Sequence, residues 1–199
     1  MHRPAILAST ARHAIGRNLA LDLLVACGIG VTMALVNAIL PTVARRGGLI
    51  PIGLSALAAA PYIANLLGAF AGRWGARTIS QLGLIRSLGA ASLIVLFLVP
   101  PAPVVVAVAI VFWLSISFGG PFQLRLWGAM YPARLRGRIV GVIGMGRAAA
   151  GALAAFGGGL LADAIGGEQA VAVAGLIGVV CAVGYLGYRA AAAAAPPVF

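Results

Sequence analysis

Apolar residues in this chain fall into six long runs, at approximately 19–42, 50–72, 79–100, 103–129, 138–162 and 169–188, separated by short stretches rich in Arg, Pro and Gly. A water-soluble helix shows a polar face at the helical period. These runs instead stay apolar for roughly 20 residues or more, the length that crosses about 30 Å of hydrocarbon. The pattern predicts an all-α, polytopic membrane protein of six transmembrane helices. The breaks TVARRGG, GRWGART, the turn at Pro100–Pro103, YPARLRGR and DAIGGEQ are short, so consecutive helices are expected to be antiparallel neighbours in one bundle. A basic tail at 1–18 precedes this domain at 19–188, and a low-complexity tail at 189–199 follows it.

Composition strengthens the membrane reading. Of 199 residues, 62% are hydrophobic and 9% charged, whereas soluble domains carry about 25% charged residues. The net charge of +11 comes from 14 Arg, with no Lys, against Asp22, Asp163 and Glu168. These Arg are scattered between apolar runs rather than gathered on one face with stacking aromatics, which argues against nucleic-acid binding. Their positions give orientation instead, because cytoplasmic loops retain positive charge. With the N-terminus inside, nine Arg (3, 12, 17, 73, 77, 134, 136, 138 and 189) face the cytoplasm and two, Arg45 and Arg46, face outward. Both termini are therefore expected in the cytoplasm. The Arg-only basic set and abundant Gly and Ala point to a bacterial genome, hence to the inner membrane. The N-terminal Arg cluster resembles a signal-peptide n-region, but the following run is too long and has no small-residue cleavage site, so it reads as a retained helix.

Two glycine-punctuated segments hint at an internal repeat. GAFAGRWG from Gly68 and GLLADAIG from Gly159 share a glycine, three residues, a turn position, two residues and a second glycine. They follow the second and fifth runs and fall on opposite sides of the membrane, as an inverted pair of helices 1–3 and 4–6 requires.

Gly68, Gly72, Arg73, Gly75 and Arg77 make up a segment that resembles the signature loop between helices 2 and 3 of the major facilitator superfamily. Gly68 and Gly72 suit close helix approach, Gly75 suits a tight turn, and the Arg side chains suit carbonyls, carboxylates or lipid phosphates. Pro132, Arg134, Arg136, Gly137 and Arg138 resemble that family's loop between helices 4 and 5. The resemblance runs from about residue 19 to 188 and implies a 3+3 inverted-repeat half-bundle and transport of a small solute by alternating access. Gly72 stands where the family has an acid and Ala76 where it has a base, so the usual ion-pair latch is missing. The fifth helix also lacks the family antiporters' Gly-Pro element. Family members have twelve helices, so a homodimer or a second six-helix chain is expected to complete the transporter. The competing reading is a non-transporting accessory subunit or a truncated half-transporter.

Polar residues inside the runs are the candidates for a substrate path. Arg147 lies about nine residues into the fifth run, ~13 Å deep. It either snorkels or pairs with a carbonyl, or it is the positive group of a cavity for an anionic solute. Arg86 and Arg125 are expected nearer the cytoplasmic interface, anchored by snorkelling stems. Asp22 is expected to pair with one of them or with Arg17, and proton coupling is its alternative role. Asn37 and Gln123 either face a cavity or hydrogen-bond a neighbouring helix. Trp74, Trp127 and Tyr131 read as an interfacial belt, and Pro41, Pro61 and Pro121 as kinks or helix ends.

Other classes fall away. Cys27 and Cys181 sit in apolar runs as small hydrophobes, and His2 and His13 are too isolated for a metal site. Neither a serine–histidine pair within the spans nor a carboxylate cluster is present, so no enzyme, metal or cofactor is expected.

Overall fold

The computed structural model describes residues 3–71, 78–98 and 101–187, which are helical with no strand among them. The helices are α1 (Arg3–Arg46), α2 (Pro51–Ala71), α3 (Ile79–Ser92), α4 (Ala102–Met130), α5 (Ala133–Ile165) and α6 (Gly167–Ala182). Tight 3-10 turns at Leu93–Leu98 and Val183–Gly187 continue α3 and α6. Six segments, with α3 and α6 counted through these turns, are long and apolar enough to cross a bilayer. The chain is thus a multi-pass membrane protein.

Helix ends follow local chemistry. Gly48, at φ 82°, closes α1: its N–H donates to Arg45 O and that of Leu49 to Ala44 O, the paired bonds of a Schellman cap. Thr78 and Gln81 cap α3 reciprocally, each side chain accepting the other's backbone N–H. Gly166, at φ 98°, is the one residue between α5 and α6. It is the final glycine of the GLLADAIG segment, in a conformation that favours glycine.

Two sequence-based boundaries need correction. The expected tail at 1–18 is helical from Arg3 onward, and α5 begins at Ala133 rather than 138. Arg134, Arg136, Gly137 and Arg138 therefore form the first turns of α5 instead of a loop. Hydropathy marks where a helix leaves lipid, whereas Arg and Ala are good helix formers that carry it further. Pro132 does fall at a boundary, as the cap residue preceding α5.

The bundle is organised by neighbours. α1 packs on α5 and α6, α4 packs on α2 and α3, and α3 packs on α6. Small residues set each crossing, because in lipid the gain comes from close backbone approach rather than from hydrophobic burial. α1 meets α6 at Gly28 beside Cys181 and α5 at Gly30 beside Gly151. α4 meets α3 at Ser115 beside Gly89 and α2 at Ser117 beside Gly68. Two apolar clusters result. One gathers Leu35–Ala44, Leu57, Leu93 and Phe112 towards one end. The other gathers Val25, Leu82, Leu126, Tyr131, Ile143 and Tyr185 towards the other. Polar side chains lie between and beside them.

Candidate functional site

A cavity of about 490 Å³ opens where α1–α5 converge. Its polar lining is Asn65, Arg86, Ser117, Gln123, Trp127 and Arg147. Pro121 also contributes, and its position has a backbone consequence. Lacking an N–H, it cannot bond the carbonyl four residues back, so the Ser117 oxygen is released from the α4 ladder at the Gly68 crossing. The Ser117 hydroxyl donates to Asn65 Oδ1 at 2.9 Å, tying α4 to α2.

Arg86 is the main departure from the sequence reading. It lies seven residues into α3, ~10 Å along the axis, yet it is 7% exposed and turns inward rather than snorkelling. Gly119 makes this possible: the guanidinium crosses its backbone so closely that a Cβ there would come within 2.8 Å of Nε. Nη2 then donates to Gln123 Oε1 at 3.2 Å. Nε and Nη1 have no hydrogen-bond acceptor among the described residues, while the Tyr185 hydroxyl is close enough to interact electrostatically. Arg147, on α5, is also within electrostatic reach of Arg86. It lies fourteen residues from the start of its helix, ~21 Å along it.

Asp22 sits beside this centre with no exposed surface. Trp127 Nε1 donates to its Oδ1 at 3.1 Å, and the Tyr131 hydroxyl donates to Oδ2. Trp127 and Tyr131 are thus internal donors to a buried carboxylate, not members of an interfacial belt. Tyr131 lies at the connection between α4 and α5, and burial together with the Asp22 carboxylate pushes its phenol above the ordinary range. Tyr185 feels the charges of both Asp22 and Arg86.

The structure brings together Asp22, Arg86, Gln123 and Arg147 but not the other candidates. Asn37 and Arg125 are exposed and lie outside the cavity lining. Arg134, Gly137 and Arg138 are exposed on the first turns of α5. Arg136 secures the end of α4, where its Nη2 donates to Gly128 O at 2.7 Å and Tyr131 O at 3.3 Å. Gly68 lines the cavity and allows the α2–α4 approach. Gly72, Arg73, Gly75 and Arg77, with Trp74, lie outside the described residues. Sequence reasoning passed over Asn65, Ser117, Gly119 and Tyr185. For Asn65 and Ser117 a signal existed, a polar side chain within an apolar run, and it was diluted by the many Ser and Thr that satisfy themselves on their own helix. Thr32, for example, donates back to Gly28 O at 3.0 Å.

No group of His, Cys, Asp and Glu suited to a metal ion occurs among the described residues. No protein-family model matches the chain, and no curated protein or solved structure shows a significant match to it.

Proposed function

We propose that the chain is one half of a transporter of the major facilitator type, moving a small solute by alternating access in a bacterial inner membrane, with both termini cytoplasmic. The observation that carries this reading is the polar cavity within the membrane-spanning bundle, walled by α1–α3 from one side of the chain and α4 and α5 from the other. Ionisable residues at such depth are costly and mark substrate or ion paths. Helix pairing supports the 3+3 arrangement. Exchanging α1, α2, α3 for α4, α5, α6 turns the α1–α5 and α1–α6 contacts into the α4–α2 and α4–α3 contacts. The crossing residues follow the same exchange: Gly28 and Gly30 on α1 stand as Ser115 and Ser117 do on α4, each pair two residues apart. Such exchange is what an inverted repeat implies. The distribution of Arg in the sequence supports the orientation.

The test is the mass of the purified chain in lipid nanodiscs, followed by cysteine accessibility. A dimer, or a stable pair with another six-helix chain, is expected. A cysteine at Leu124, an exposed position on the cavity wall, should react with membrane-impermeant reagents added from either side. A strict monomer labelled from one side only would refute transport by rocking bundles. It would favour the second reading, an accessory membrane subunit, which the missing acid at Gly72 also favours.

A further inference from the structure

The cavity is lined by positive charge, part of it on hydrogen-bond donors that only the Tyr185 hydroxyl approaches. Arg86 and Arg147 are both within its lining, and no carboxylate lines it. Asp22, the acidic group beside the cavity, acts on Tyr185 as Arg86 does, and its carboxylate oxygens accept from Trp127 and Tyr131. Arg86 is more than nine-tenths buried, and its Nε and Nη1 have no hydrogen-bond acceptor among the described residues. A buried cation with unmade bonds is expensive unless something anionic completes it. Among these polar groups the lining is aliphatic, with Ile29, Ile116, Leu124 and Ile143. The volume lies within the roughly 300–1,000 Å³ typical of small-molecule sites.

We infer that this cavity binds an amphiphilic organic monoanion, a monocarboxylate whose charged end is held by Arg86 and Arg147 and whose apolar body lies on the aliphatic wall. Guanidinium groups suit this role because they stay charged and offer several donors to one carboxylate. Gln123 fixes the Arg86 head through Nη2, so the remaining donors are set before the ligand arrives. A neutral carboxamide isostere offers one carbonyl oxygen and no charge where the carboxylate offers two charged oxygens, the kind of mismatch that discriminates strongly. The inference rests on the transport reading only for its biological meaning; binding can be measured without transport.

The experiment titrates the full chain in nanodiscs of zwitterionic lipid with three carboxylate and carboxamide pairs: butyrate and butyramide, benzoate and benzamide, octanoate and octanamide. At least one carboxylate is expected to bind saturably, with its amide at least tenfold weaker. Arg147→Gln, at an exposed side chain whose loss leaves the core intact, is expected to weaken that carboxylate tenfold or more, which is about 1.4 kcal/mol. Arg86→Gln should weaken it further, and Arg86→Lys should restore part of the affinity. Equal binding of acid and amide, no binding by any of the three acids, or unchanged affinity in Arg147→Gln would each overturn the inference. So would stabilisation by phosphatidylglycerol nanodiscs with no response to the acids, which would assign the site to a lipid headgroup. Uptake of the bound acid into proteoliposomes is read separately: binding without uptake keeps the site and removes the transport reading.

Discussion

Gly30→Ala is the sharpest test of how the bundle holds its cavity open. A methyl added at Gly30 would overlap the Arg147 carbonyl oxygen and come within 3.1 Å of the Arg147 carbonyl carbon and 3.2 Å of Gly151 N. All three obstacles are backbone, so no rotamer change can relieve them. α1 and α5 would have to separate by roughly 1 Å to regain ordinary contact distances near 3.5 Å. Overpacking of this kind costs about 1–3 kcal/mol, and the better helix propensity of Ala returns up to about 1 kcal/mol. The net expectation is a loss of up to about 2 kcal/mol, drawn from the contact between α1 and α5. Gly157→Ala is the control, since it lies on α5 with nothing within 4 Å of a built methyl. It should be neutral or stabilising by up to about 1 kcal/mol. Reversible unfolding in mixed micelles reads both. Because the displaced carbonyl belongs to Arg147, Gly30→Ala should also weaken carboxylate binding. If the two variants prove equally stable, the close α1–α5 crossing is refuted.

The other expectations concern the buried polar groups. Gly119→Ala should cost about 1 kcal/mol, less than a backbone clash, because the atom it meets first is the Arg86 head, which can shift by giving up its bond to Gln123; stability falling without any loss of carboxylate binding would refute that route. Asp22→Asn keeps the shape but turns an amide N–H₂ towards a donor, so it should cost about 1–3 kcal/mol in the same unfolding assay; an unchanged midpoint would show that the carboxylate is not what Trp127 and Tyr131 hold. Tyr131 gives a pH expectation. Its folded phenol titrates above the unfolded value near 10, so its contribution is fully present below about pH 10 and is lost above it, by up to about 1.4 kcal/mol per pH unit. Tyr131→Phe should be less stable at neutral pH, for want of a donor to Asp22, and should lose stability less steeply in alkali; parallel pH curves for the two proteins would contradict this.

The six helices were legible because lipid imposes them: unsatisfied backbone must bond within a segment, and the segment must be apolar for its whole crossing. Asp22, Gln123 and Arg147 were legible for the converse reason, as rare polar side chains within those crossings. What stayed hidden depended on partners distant in sequence. Arg86 looks like a snorkelling residue because it is near a helix start, and only Gly119, on another helix, makes the inward path available. Trp127 and Tyr131 resemble an interfacial belt until the fold brings Asp22 from α1 against them. Asn37, whose type suits either a cavity or a bond to a neighbouring helix, is exposed and outside the cavity lining. Helix ends at Arg3 and Ala133 were missed because Arg does not break a helix.

Exposure alone says little in this molecule, because an exposed Leu or Phe in lipid has its preferred solvent. α2 and α5 show the point: each leaves most of its surface uncovered, including Tyr62 and Phe70 on one and Leu153 and Phe156 on the other, and lipid tails would satisfy all four. Polar side chains on the same two helices carry the information instead. Asn65 on α2 and Arg147 on α5 are also exposed, and a charged group near the membrane centre costs at least about 2.5 kcal/mol when it faces lipid. Both line the cavity, so the costly residues of these loosely covered helices converge on one place while the cheap ones are spread outward. That convergence is expected where the face containing α2 and α5 is shielded from lipid by a second bundle and the space between is filled with water and solute. The same logic suits Arg86: in the proposed cavity, wetted or occupied, donors that only the Tyr185 hydroxyl approaches within the chain are completed from outside it.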